Sequence, residues 1–297
     1  MEFKTVAVLI FTVPLFLFAG SESDFFRACL NGEMEKVIEL YNKEGLRLTF
    51  SRDKDKNTPL HLACCSKKGG NKKELVDFLI SNGVDVNATN AIGETPLVIA
   101  VSNGNDKATA LLLKAKGIKV NQMTKGFTSL HLAVINGFIP LVRLLLNHPE
   151  TNPNFGTADG ATPLHFAAMM GLKEEAQLLI DDPRTDINAP QHDHIYSGAT
   201  PLHFAAMQAQ TEIVNALLGT GRATIDPVLD RGDYEGFTPL HFAVLNPDAP
   251  NVYSTVKLLL RAGANPKIKC RVGKKVAELT SVKVVQSLLN HPKQARD

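Results

Sequence analysis

Six near-copies of one hexapeptide, spaced 33 to 38 residues apart, constrain this chain more than any other feature. Thr162–Ala167, Thr200–Ala205 and Thr238–Ala243 read T-P-L-H-F-A. Thr58–Ala63 reads T-P-L-H-L-A, Thr128–Ala133 T-S-L-H-L-A and Thr95–Ala100 T-P-L-V-I-A. A fixed period of this length is the mark of a solenoid, in which one supersecondary unit stacks on its neighbours because it cannot bury its apolar face alone. The hexapeptide itself reads as a helix start. The Thr hydroxyl accepts from a backbone N–H of the first turn, Pro follows where its missing N–H is no loss, and Leu and Ala face inward. The His is expected to bond to backbone or to the Thr of a neighbouring repeat.

The string T-P-L-H-x-A resembles that of the ankyrin-repeat family. The resemblance implies an all-α solenoid of stacked helix-turn-helix pairs with β-hairpin fingers between them, and non-catalytic protein binding by the concave groove and finger tips. Repeat starts fall at 23, 58, 95, 128, 162, 200, 238 and 275. The first lacks Pro and His and the last is shortened, as terminal capping repeats are. Val98 replaces His in the third repeat, which predicts a different polar network and a softer joint there. Second helices are expected at 37–40, 74–81, 174–180, 212–218, 254–260 and 284–289. The starts fill the chain almost to His291, leaving no stretch for a separate enzymatic domain.

The fingers fit the family pattern at Gly83–Ala88 (G-V-D-V-N-A) and in part at Gly263–Asn265. Two are long, Ala189–Ala199 and Pro227–Phe237, and extra length on one edge of a solenoid belongs to its binding face. Asn87-Ala88-Thr89 is also an N-glycosylation acceptor string, but Asn87 is the finger Asn, whose side chain the resemblance places in bonds within its hairpin.

Residues 1–21 carry Lys4, an uncharged run from Val6 to Phe18, and small residues Ala19 and Ser21 at the −3 and −1 positions of a cleavage site. This reads as a secretory signal peptide before a repeat domain over 22–297. The apolar run is shorter than the roughly 20 residues a spanning helix needs. The expectation is an exported protein, secreted or periplasmic; the alternative is a membrane-tethered scaffold that keeps the segment.

Charge excludes little. The net charge is +2, and nothing implies nucleic acid, which calls for a clustered basic face. Lys67, Lys68, Lys72 and Lys73 form a dense basic run that reads as a solvated loop. No small-molecule substrate, cofactor or metal site is indicated. Five of nine His are motif residues; His192 and His194 form an H-x-H without the further ligands zinc needs, and His148 and His291 sit where His complements a helix C-terminus. Cys29, Cys64, Cys65 and Cys270 suggest no disulfide framework and read as small buried hydrophobes. A metal- or thiol-dependent enzyme is the remaining alternative.

One stripe stands out. Two residues past the motif Ala lie Cys65, Ser102, Ile135, Met169, Met207 and Leu245. In the family this slot faces the concave groove, so Ile135, Met169, Met207 and Leu245, with Tyr196 and Tyr234 on the two long fingers, are the candidate partner-binding residues. Such a run reads either as an interaction patch or as packing between helix and finger.

Overall fold

The computed structural model describes residues 20–65 and 72–295; the leader positions before Gly20, and the insertion expected at 66–71, lie outside them. Eight units follow one another. The first pairs α1 (Ser21–Asn31) with α2 (Met34–Glu44) and adds a single turn, α3 (Arg47–Phe50). Next come α4 (Pro59–Cys64) with α5 (Lys72–Ser81), and α6 (Pro96–Ser102) with α7 (Asp106–Leu112). The central pairs are α8 (Ser129–Ile135) with α9 (Ile139–Leu146), and α10 (Pro163–Met170) with α11 (Lys173–Asp181). Then follow α12 (Pro201–Met207) with α13 (Thr211–Gly219), and α14 (Pro239–Ala243) with α15 (Val252–Ala262). The last unit is a 3-10 turn (Val276–Glu278), α16 (Lys283–Asn290) and a closing 3-10 turn (Pro292–Ala295).

The first helix of each full repeat is five to eight residues long from α4 onward, too short to persist alone. Stacking sustains it. The inner helices contact one another in sequence from α1 and α4 through to α12 and α14, and the outer helices do the same from α5 to α15. The motif alanines Ala63, Ala100, Ala133, Ala167, Ala205 and Ala243 are all buried, so neighbouring inner helices approach closely. The motif leucines fill the layer between inner and outer rows, and one continuous core runs the length of the array.

Each motif Thr backbone N–H donates to Nδ1 of the His three residues on, at 3.0–3.2 Å. Nε2 therefore carries the proton. It donates to the carbonyl just before the next repeat: His61 to Glu94 at 3.0 Å, His131 to Ala161 and His165 to Ala199 at 3.1 Å, and His203 to Phe237 at 3.3 Å. The imidazole thus serves its own Thr and the next repeat's backbone, not the next repeat's Thr. Of the six units that carry the hexapeptide, two lack the link. Val98 has no donor, and Nε2 of the fully buried His241 has no partner; the Lys274 carbonyl faces it without closing the bond.

The fingers are turns rather than β-hairpins. Among the described residues there is no strand, only isolated bridges at Thr124–Phe127 and Lys269–Lys275. Their regularity runs between fingers. Asn87 gives its amide N–H to the Gly117 carbonyl (2.7 Å) and accepts from Lys119 N–H (2.8 Å). Asn121 repeats this on Glu150 and Asn152, Asn154 on Arg184 and Asp186, and Asn188 on Arg222 and Thr224. The expectation that Asn87 bonds within its own hairpin is corrected: its amide reaches the following finger. At the sixth finger Asp226 stands in the Asn slot and only accepts, from Asn265 N–H at 3.0 and 3.3 Å. Gly198 (φ +88°) and Gly236 (φ +79°) let fingers touch, since a Cβ there would lie 3.1–3.2 Å from the backbone of the next finger.

Helix C-termini are served by arginine. The Arg184 guanidinium donates to carbonyls of Leu146, His148 and Thr151, and Arg222 to Ile180 (2.7 Å). His148 does not do this with its ring, whose buried Nδ1 has no partner.

Candidate partner-binding face

In T-P-L-H-x-A the x residue and the residue three further on share one helix face. The x residues are Leu62, Ile99, Leu132, Phe166, Phe204 and Phe242; the second set is the stripe through Ile135, Met169 and Met207. The x side chains are buried or half-buried, and Ile135, Met169 and Met207 are half-buried near the ends of α8, α10 and α12. Met169 and Met207 rest on the core beneath them. Leu245 departs from the pattern. Helix α14 stops at Ala243, so Leu245 lies in the turn beyond it and is exposed.

Tyr196 and Tyr234 are not free finger tips. Their rings stack on each other, with centroids 5.5 Å apart and planes 6° apart. Behind them Phe204 meets Tyr196 edge-on at 5.6 Å, and Phe242 lies 5.3 Å from Tyr234. Phe237 closes on Tyr234 at 5.3 Å and on Phe242 at 5.6 Å. A smaller group, Phe127 on Phe166 at 5.8 Å, repeats the contact in the fourth and fifth repeats. The two long fingers and the inner helices of repeats six and seven therefore form one aromatic wall. Each half-buried ring contributes packing at its back and an apolar edge at its front, a rigid surface of the kind that anchors interfaces. Burial raises the Tyr196 phenol above its usual range. The phenylalanine backing was legible as the x position of three consecutive motifs; the stacking of two tyrosines 38 residues apart was not.

The motif histidines and three of the cysteines are held uncharged by burial. Burial pushes His61, His131, His165 and His241 down to about 4 and His203 to about 3. It drives the thiols of Cys29 and Cys64 far up and that of Cys65 to about 11, the opposite of what a nucleophilic thiolate requires. Among the described residues no three His, Cys, Asp or Glu side chains converge on a possible metal position, and His192 and His194 are both exposed. Lys72 is a correction: it is buried rather than solvated, and its ammonium donates to the Leu30 carbonyl. Burial lowers its pKa. No helix among the described residues is long and apolar enough to cross a membrane.

A family model of three ankyrin repeats matches residues 21–90, 66–156, 97–191, 140–227 and 186–270 in overlapping registers. Curated relatives include alpha-latrotoxin-Lg1a of Latrodectus geometricus, 32% identical over 151 residues, which are 48% of this chain and 10% of that protein. Another is the transient receptor potential cation channel subfamily A member 1 homolog of Caenorhabditis elegans, 33% identical over 125 residues, 42% of this chain and 10% of that protein. The matched segment spans about a tenth of the length of both. Among solved structures, the ankyrin repeat domain of Bcl-3 superposes with a TM-score of 0.67 at 27% identity, covering 80% of this chain and all of that one. The human ASB11 ankyrin repeat domain gives 0.58 at 27% identity, covering 80% and 98%.

Proposed function

This chain belongs to the ankyrin-repeat family, typically a non-catalytic scaffold for protein–protein interaction, and from that premise we propose that it binds a partner protein through the face shared by its inner helices and fingers. The observation that carries the reading is the continuity of apolar surface there. Ile135, Met169 and Met207 run once per repeat along stacked helices, and the Tyr196–Tyr234 stack continues the surface onto the fingers. Stacking turns one residue per repeat into a line. Methionine adapts to an incoming surface, and the tyrosine pair is already rigid, so little ordering is left for the moment of binding. Leu245, in its turn, extends the patch at the C-terminal end.

Affinity capture with the whole chain, followed by the same capture with Met169→Glu and Met207→Glu together, tests this. The pair is expected to lose every specific partner while helicity and melting hold. A double variant that folds and keeps its partners places the binding face elsewhere; one that misfolds shows the stripe to be packing between helix and finger.

Export is the second element of the reading. Lys4, the run Val6–Phe18 and the small residues Ala19 and Ser21 support a cleaved leader, and a mature N-terminus near Glu22 is expected by mass spectrometry. An intact Met1 in a membrane fraction favours the tethered scaffold, and an intact Met1 in soluble cytosol removes the export reading.

A further inference from the structure

Charge is unevenly distributed along the array. Between residues 148 and 236 there are thirteen Asp or Glu and four Lys or Arg. Between 251 and 295 there are nine Lys or Arg and one carboxylate, Glu278. The densest part is not the run near Lys72 but the seventh finger. Lys269 and Lys275 face each other across an antiparallel bridge. Between them the chain reverses through a turn closed by Cys270 N–H to the Lys274 carbonyl at 3.0 Å and Gly273 N–H to the Cys270 carbonyl at 2.8 Å. Lys269, Arg271, Lys274 and Lys275 are all exposed on this one reversal, and Lys267 is exposed beside it. Arg271 pairs with Glu235 at 3.2 Å. Among the described residues no carboxylate forms a salt bridge with the four lysines.

At the tip of that reversal sits Val272, 72% exposed, and on α16, next to the exposed Lys283, sits Val284 at 63%. They are the two most exposed large apolar side chains among the described residues. No aromatic residue occurs between 254 and 297.

We propose that the seventh finger is a docking element for an anionic lipid bilayer surface. Its lysines sit at the level of the phosphate and serine headgroups, and Val272 enters the interface between them. An aliphatic side chain held out in water among unpaired lysines gains free energy where an apolar layer lies just beneath a negative one, as at an anionic bilayer surface. A single-stranded nucleic acid offers bases instead, and these are held by aromatic stacking platforms, which this end of the chain lacks. The lysines and Val272 are not residues of the Met–Tyr face, so the proposal and the partner-binding reading are tested by different substitutions.

The test is co-sedimentation of the full chain with vesicles of phosphatidylcholine alone and of phosphatidylcholine mixed with phosphatidylserine. Binding to the mixed vesicles is expected to weaken as salt rises. Lys269→Gln, Lys274→Gln and Lys275→Gln together are expected to lower it on the order of a hundredfold, and Val272→Ser several-fold. Lys→Arg at the three positions keeps it. Binding to phosphatidylcholine alone is expected to be unchanged by all of these, which isolates any contribution of residues 1–21. The proposal is overturned if the parent chain does not distinguish the two vesicles. It is equally overturned if the folded triple Gln variant binds the mixed vesicles as well as the parent, or if a single-stranded oligonucleotide binds more tightly and displaces them.

Discussion

The joint between the third and fourth repeats and the joint between the fifth and sixth are built from the same motif and held differently. At the fifth–sixth joint three kinds of link cross: His165 Nε2 to the Ala199 carbonyl, the Asn188 amide on Arg222 and Thr224, and the Arg222 guanidinium on the Ile180 carbonyl. At the third–fourth joint Val98 replaces the imidazole, and Glu150 stands where the sixth finger has Arg222. The Phe127 carbonyl accepts only from Thr124 N–H within its own finger, whereas Ala199 accepts from both Gln191 N–H and His165. What survives is the amide ladder, Asn121 on Glu150 and Asn152. Apolar stacking plus this ladder is therefore sufficient to hold a joint, and the imidazole row is an additional, titratable layer.

Acid gives the largest effect on that difference. The motif histidines are neutral in the folded chain, with pKa values near 3 to 4 against about 6.5 unfolded. Above about 6.5 neither state binds the proton. Below it the unfolded chain does, so stability falls as pH drops from about 6.5 towards 4, by up to a few kcal/mol per linked histidine. Hydrogen exchange at pH 7 and pH 5 is expected to show a larger loss of protection in α10, α12 and α14 than in α6, where there is no imidazole. Equal losses would show that the imidazole row does not act locally.

Single histidines divide the layer more finely. His165→Ala removes a bonded ring and is expected to cost about 1–3 kcal/mol by denaturant melts. His241→Ala removes a ring whose Nε2 is already unpaired, and its cost is expected to be about 1 kcal/mol lower. The reverse order would mean that Lys274 or Ile268 supplies the missing acceptor in solution.

The ladder is tested at Asn154 and Asp226. Asn154→Ala loses two inter-finger bonds, with an expected cost of about 1–2 kcal/mol. Asp226→Asn supplies the donor that the other rungs have, aimed at the Gly263 carbonyl by the same register, and is expected to gain about 0.5–1 kcal/mol. Loss of stability in Asp226→Asn would show that the carboxylate is preferred at the last rung.

The smallest effect is expected from Val98→His, which offers the Phe127 carbonyl the bond its counterparts have. A gain of about 0.5 kcal/mol is expected after the change in shape is absorbed. A loss above about 2 kcal/mol would show that the third repeat has repacked around valine.

Most of the fold was legible because the hexapeptide carries cap, first helical residue and core positions in a fixed order, and the structure begins α4, α6, α8, α10, α12 and α14 immediately after the motif Thr. The second helices match their expected spans to within one to four residues at each end. The turn α3 at Arg47–Phe50 was missed, since it follows no motif. The amide ladder had a signal, the recurrence of Asn at 87, 121, 154 and 188, but a spacing does not say which backbone an amide meets. The face was half-legible. Ile135, Met169 and Met207 keep helical register and Leu245 does not, because α14 ends early. The tyrosines were expected beside the groove, yet their stacking depends on two long loops folding together. Nothing in the sequence singles out Arg184 and Arg222; their role shows only once the carbonyls of the preceding helix are placed under them.

The finger ladder also has a mechanical consequence. Pulled from its two ends, the array is a set of springs in series, and every joint feels the same load. The amide rungs are alike from Asn87 to Asn188, so extension at low force is shared evenly along the solenoid. Rupture is not shared. The last rung, at Asp226, has only an acceptor, and the imidazole above it, at His241, holds nothing. Under tension the shortened final repeat is expected to peel away before the fourth to sixth repeats, which keep both imidazole and amide links.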